Sequence, residues 1–558
     1  MTDKISGGKA VYEVLKSAGI DTVFGLLGGS MLELYDAIYT NDGIRYVGAR
    51  DERAAGHMAD AWARMTGKTG VVLGAQAGPG VVNLVTAVAE AHLAYSPLLV
   101  IAGAISRSDL GKDTFQEVDQ VALFAPICKK SILVTDPERL PEMVVDAIRL
   151  ANSGRRGPVV LHVPRDLMAA QISQQQSGPV TIARAGPPRQ SDVAEMVSLL
   201  QKSQKPVIFA GAGLKWGRGT DSLRLLAESI EIPVVSSTGH ADLMPHDHPW
   251  FAGQGGPRGN HVASELTRDA DLIVALGARF GFNSTFHSHD YVSSTANIVQ
   301  VDIEGSAVGR YFPVSLACQA DAAATVKSLI SACAVIDFSS WQPWRDQFVI
   351  RRKALLAERE NEACDPSVPM HPRRALAEIR KVLPKNAVVT LDTGNACLQA
   401  ADRLAHWQCP GLITPLDFGL VGFAYAAALG AKAACPDRPV ISVMGDGGFG
   451  YTMAELSSAV DNSLPVVAVI LDNGAWGAEK AYQQEFFGGR LLGASITSPP
   501  YDKVAELCGG RGWQADTPEV LACALTEALA CEEPAVVHVK IDPNALNTLR
   551  KDLFNSKY

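Results

Sequence analysis

The stretch Val443-Met444-Gly445-Asp446-Gly447-Gly448-Phe449-Gly450, an apolar run ending in a glycine-rich turn with one carboxylate, constrains this chain most. A buried strand ending in such a turn exposes backbone N–H groups at the start of a helix, which suits an anionic phosphate. A second apolar run, Leu464-Pro465-Val466-Val467-Ala468-Val469-Ile470-Leu471, leads into Asp472-Asn473. Asp446 and the amide oxygen of Asn473 are hard oxygen donors at the C-terminal ends of neighbouring strands, where open parallel sheets bind ligands. Together they predict a diphosphate held through Mg²⁺. A Gly-Asp-Gly turn alone is also ordinary loop chemistry.

Apolar strands alternate with amphipathic helices along the whole chain, which predicts an α/β protein of three doubly wound domains. The first spans residues 1–170, with strands expected at 70–74, 97–102 and 158–164, and the polar residues 171–190 read as a linker. The second spans 191–340. Its Lys205-Pro206-Val207-Ile208-Phe209-Ala210-Gly211-Ala212-Gly213 is Rossmann-like, but Gly211-Ala212-Gly213 lacks the full GxGxxG spacing, which argues against a dinucleotide. A charged helical connector at 344–362 precedes the third domain, 366–558.

Composition narrows the class. The 558 residues are 47% hydrophobic and 20% charged, with a net charge of −9, so nucleic acid is not expected as a partner. No run approaches the roughly 20 apolar residues that span a bilayer, and the N-terminus lacks a signal-peptide core, which predicts a cytoplasmic protein with no membrane partner. The ten cysteines show neither CxxC pairs nor metal-ligand spacing and read as free buried thiols.

The Gly445-Asp446-Gly447 turn, with Asn473 at its distance, resembles the metal and diphosphate motif of thiamine-diphosphate (ThDP) enzymes. In that family the metal is held by the two residues matching Asp446 and Asn473 and by a backbone carbonyl, here that of Ala475. Val47-Gly48-Ala49-Arg50-Asp51-Glu52-Arg53-Ala54-Ala55 resembles the family's second element, whose carboxylate, here Glu52, hydrogen-bonds N1′ of the aminopyrimidine and promotes loss of the C2 proton. Taken alone, Glu52 also reads as a solvated carboxylate favoured by a helix start. Asp51 stands where the family often has His.

The resemblance implies further site residues. Gly419 and Val421, in Asp417-Phe418-Gly419-Leu420-Val421-Gly422, match the turn that receives the 4′-amino group and wedges beneath the thiazolium. Gly445, Gly447 and Gly448 match the diphosphate turn, and Trp476 follows the metal ligands. Thr393 and Asn395, in Asp392-Thr393-Gly394-Asn395, match a strand end near the diphosphate or substrate, and a simple turn is an equal reading. Pro79 and Asn83, beside Ala75-Gln76-Ala77-Gly78, line the active-site side of the first domain in relatives, as does Gly25-Leu26-Leu27-Gly28-Gly29-Ser30. In the family the pyrimidine sits on one subunit and the diphosphate on its partner, which implies a homodimer or homotetramer. FAD or ADP in the middle domain stays open.

Phe115-Gln116-Glu117 resembles the substrate-channel motif of the acetolactate-synthase-like branch. Trp476-Gly477-Ala478-Glu479-Lys480 is similar to sulfoacetaldehyde acetyltransferases, with a solvated helix face as the alternative for Glu479 and Lys480. Catalytic roles are therefore implied for Glu52, Gln116 and Glu479. The substrate class is a small anionic aldehyde, keto acid or acyl-CoA, with Lys112, Arg279 and Lys480 as candidate cations. Rival readings are a 2-keto-acid decarboxylase or carboligase, a 2-hydroxyacyl-CoA lyase, a ThDP-fold metabolite sensor, and a nucleotide-binding module without ThDP.

Overall fold

The computed structural model describes residues 4–174 and 178–548. Three six-stranded sheets organise it, and every pairing within them is parallel. Helices cover both faces of such sheets, so their strands must be apolar throughout. Leu98–Ala104 and Val467–Asp472 are accordingly buried along their full length.

The first sheet runs Arg45–Gly48, Thr22–Leu26, Gly70–Gly74, Leu98–Ala104, Val159–Pro164, Lys130–Leu133. The third runs Leu412–Ile413, Val388–Leu391, Val440–Gly445, Val467–Asp472, Ala535–Lys540, Arg511–Ala515. Numbered along the chain, both have the order 2-1-3-4-6-5. Two segments with no obvious sequence repeat thus share one topology. The middle sheet, built from Pro206–Ala210 to Leu316–Gln319, has the order 3-2-1-4-5-6.

Two expectations need correcting. The stretch read as a linker begins with a strand, Gln171–Ser173, which pairs antiparallel with Lys4–Ser6. Burying Ile172 closes the chain onto its N-terminal domain and outweighs the polar residues around it. The cysteines are all free, but only Cys128, Cys318, Cys333 and Cys397 are buried, while Cys364 and Cys523 are exposed. Among the described residues no helix is long and apolar enough to cross a membrane.

The first and third sheets share one apolar core, in which Phe24, Val47 and Trp62 meet Phe423, Tyr425 and Phe449. Its centre is the crossing of helix Glu52–Thr66 with helix Ala424–Ala434. Both helices are rich in Ala because their backbones nearly touch. A Cβ built at Gly430 would lie 2.0 Å from the Met58 carbonyl oxygen. Gly430→Ala should therefore push the helices apart at a cost of about 1–3 kcal/mol, read as a lower thermal unfolding midpoint. An unchanged midpoint would contradict so close a crossing.

Candidate active site

Three strand ends of the third sheet converge. Val440–Gly445 delivers Asp446, which opens the short helix Asp446–Gly450, and neighbouring Val467–Asp472 delivers Asn473. Val388–Leu391 delivers Asp392 and Thr393 on the other side of Val440–Gly445. Asp446 is buried, and its Oδ2 accepts from Ser498 Oγ at 2.8 Å while its backbone carbonyl accepts from Tyr501 Oη at 2.8 Å. Its Oδ1 is buried with no hydrogen-bond partner, and so is Oγ1 of Thr393.

Electrostatics mark the same place. Burial, then the nearby charge of Asp472, pushes the Asp446 carboxyl above the usual carboxylate range. Asp472 moves the other way: burial would raise it, but His538 and Lys540 hold it well below that range. His538 Nε2 lies 2.7 Å from Asp472 Oδ2, and the Gly474 N–H donates to Oδ1 at 2.8 Å. Two buried carboxyls side by side, one with an orphaned oxygen, suit a cation, which would supply the missing partner.

Asn473 begins a loop with little freedom. Its Oδ1 accepts the Ala475 N–H at 3.2 Å, Gly474 has a left-handed φ of +62°, and residues 474–476 are pinned to 494–496 by hydrogen bonds from Trp476 N to Ala494 O and from Ile496 N to Gly474 O. The Trp476 ring lies over Gly447, where a Cβ would sit 2.6 Å from it. Trp476 thus packs on the turn, and a side chain at Gly447 would have to displace its ring. Gly445 and Gly448 flank Asp446 in the same turn.

Asp392, buried at its strand end, was legible only as part of a turn. Its carboxylate accepts the N–H groups of Gly422, Phe423 and Ala424 at 3.0–3.2 Å, so it fixes the Gly419–Gly422 turn and the start of helix Ala424–Ala434. Burial pushes it up to about 6 against those hydrogen bonds. Val421, within that turn, is half-buried. Asn395 is otherwise engaged: its Nδ2 donates to Asn547 O at 2.6 Å and its Oδ1 accepts Asn547 N–H at 3.0 Å, docking the segment after the last strand.

The first sheet presents its own group. Arg45–Gly48 leads through a short turn into helix Glu52–Thr66, capped by Asp51, whose side chain accepts the Arg53 N–H at 2.7 Å. That cap is what Asp51 supplies where relatives often carry His. Glu52 is only 6% exposed, its Oε2 accepts from Asn83 Nδ2 at 3.0 Å, and a Cβ at Gly80 would lie 2.8 Å from its Oε1. Neighbouring Pro79 is exposed. Gln116, with a left-handed φ of +68°, accepts from Gln76 Nε2 at 2.6 Å, and Gln76 in turn accepts the Gly29 N–H at 3.0 Å.

The remaining candidates lie apart. Glu479 is exposed, Lys480 donates to the Pro543 carbonyl at 2.9 Å, and Lys112 sits on an exposed loop. Arg279 pairs with Asp417 and the Tyr95 hydroxyl. It lines a cavity of about 320 Å³ at the ends of Pro206–Ala210 and Leu272–Leu276, together with Arg155, Arg156, Trp216 and Asp302. Here Gly211, Gly213 and Gly277 serve close approach of two loops, since a Cβ at Gly211 would lie 2.4 Å from Gly277 O. A glycine pattern read only for phosphate spacing missed that cleft.

Comparison with known proteins places all three domains in one family. Residues 5–123 match the N-terminal TPP binding domain of thiamine pyrophosphate enzymes, 193–329 the central domain and 392–539 the C-terminal TPP binding domain. The chain is 30% identical to a sulfoacetaldehyde acetyltransferase of Alcaligenes xylosoxydans xylosoxydans, over 94% of this chain and 90% of that protein. It is 30% identical to a probable acetolactate synthase large subunit of Methanocaldococcus jannaschii, over 97% and 92% respectively. A sulfoacetaldehyde acetyltransferase of Rhodobacter capsulatus is 32% identical, over 94% and 91%. With three matched domains in order and relatives aligned along nearly its full length, the chain belongs to the thiamine pyrophosphate enzymes, in the group that holds acetolactate synthases and sulfoacetaldehyde acetyltransferases.

Proposed function

We propose that this ThDP enzyme uses Mg²⁺ and acts as a sulfoacetaldehyde acetyltransferase, converting sulfoacetaldehyde and phosphate to acetyl phosphate and sulfite. The observation that carries the cofactor part is the orphaned, buried Asp446 Oδ1 beside Asn473 and Thr393. Asp446, Asn473 and the Ala475 carbonyl would hold the metal, and the N–H groups around Gly447 and Gly448 the diphosphate. When bound, ThDP would supply a thiazolium ring whose acidic carbon becomes the nucleophile and whose cationic ring serves as the electron sink. Glu52 holds and moves a proton at Oε1, while Asn83 keeps Oε2 oriented. Gln116, tied through Gln76 to the Gly29 loop, would help position the substrate from the same domain.

The site is completed by a second copy of the chain. Within one chain Glu52 accepts from Asn83 and lies against Gly80, while Asp446 accepts from Ser498 and Tyr501 beside Asp472. Apolar side chains stand in solvent near both, Leu27 at 63% and Phe115 at 84% on one domain and Phe418 and Tyr451 on the other. A two-fold pairing would cover them and bring each Glu52 to the partner's diphosphate turn.

The choice of substrate rests on the Trp476-Gly477-Ala478-Glu479-Lys480 run. Incubated with sulfoacetaldehyde and phosphate, the purified enzyme should release sulfite and form acetyl phosphate, with acetolactate only a minor product from pyruvate. Rapid CO₂ release from a 2-keto acid without sulfite would move it to the decarboxylase or carboligase reading. Cleavage of a 2-hydroxyacyl-CoA would move it to the lyase.

A further inference from the structure

The turn that carries Glu52 is gripped by the other ThDP domain of the same chain. Glu455, 1% exposed at the start of helix Glu455–Asp461, accepts the Arg50 backbone N–H with both oxygens, at 3.1 and 3.2 Å. Beyond the other end of that helix Asn462 Nδ2 donates to the Gly48 carbonyl at 3.0 Å. The Arg53 guanidinium reaches the Tyr451 carbonyl at 3.1 Å. Tyr451 directly follows the turn helix Asp446–Gly450, and its Cβ fills the space a side chain at Gly422 would need. One continuous stretch of chain, residues 446–462, therefore starts at the diphosphate turn and ends on the turn that presents Glu52.

Packing alone does not call for a carboxylate here. Burying one costs several kcal/mol unless hydrogen bonds offset it. Glu455 is directed at the single N–H that sets the backbone two residues before Glu52. We propose that Glu455 is a positioning residue for Glu52, a strut that aligns its carboxylate and passes the ordering of the diphosphate turn to it. This rests on the two-copy site above. There, Asp446 and Glu52 of one chain serve different sites, so the strut links the two sites of the dimer.

The test follows exchange of the C2 proton of bound ThDP with deuterium, alongside ThDP affinity and the thermal midpoint of the apoprotein. In Glu455→Ala, exchange should slow roughly 10- to 100-fold while ThDP affinity stays within about threefold, the scale of loss when a reacting group is misplaced by about an ångström. Glu455→Gln keeps an oxygen for the Arg50 N–H and should recover most of the exchange rate. Asp461→Ala, which removes only the exposed ion pair to Arg50, should match the wild type. If Glu455→Ala does not fold, Glu455→Asp, one methylene shorter, carries the same expectation. Wild-type exchange in Glu455→Ala, or a loss confined to the thermal midpoint, would overturn the strut. Absence of bound ThDP in the wild type would instead overturn the cofactor reading, and the strut with it.

Discussion

Replacing Glu52 by Gln should leave ThDP bound and slow turnover by about 10²- to 10⁴-fold, the range a positioned acid–base group contributes. The amide is close to isosteric and can still accept from Asn83, so the pocket around Gly80 should persist. What is lost is a group able to hold and return a proton at Oε1. ThDP affinity by calorimetry and steady-state turnover separate the two effects. Near-normal turnover would remove Glu52 from its assigned role, whatever the substrate proves to be.

Asp446→Ala should abolish metal-dependent ThDP retention, by more than the ~100-fold that loss of even an outer-shell partner costs a metal site. The fold should survive, because Asp446 is a buried carboxyl raised by its surroundings and by Asp472. Removing it relieves that repulsion, so the apoprotein should melt at the same temperature or higher. Unchanged ThDP affinity in Asp446→Ala, measured with Mg²⁺ present, would end the assignment of Asp446 as a metal ligand.

The sequence by itself determined the class of the molecule and the chemistry of its strand ends. Strands buried on both faces must be written as unbroken apolar runs, so Gly70–Gly74, Leu98–Ala104 and Val467–Asp472 were legible as strands. A glycine turn needs its glycines locally, and hard oxygen ligands sit at strand ends, so Asp446 and Asn473 stood out before any fold was known, whereas Glu52 stood out only through its resemblance to a family motif. These signals are short in range, each written within a few residues.

Tertiary structure decided everything that depends on distant partners. Asp392 holds a turn some thirty residues on, Asn395 holds the segment at Asn547 rather than facing a ligand, and Lys480 is taken by a carbonyl at Pro543. Glu455 reads as an ordinary helix-start carboxylate until the chain folds and sets it on Arg50. A side chain's hydrogen-bond partner is fixed by packing between elements, and local sequence carries no record of which groups that packing will bring within 3 Å. The middle-domain cleft is the same case, since its walls come from stretches as far apart in the chain as Tyr95, Arg155, Gly213, Arg279 and Asp417, brought together only by the fold.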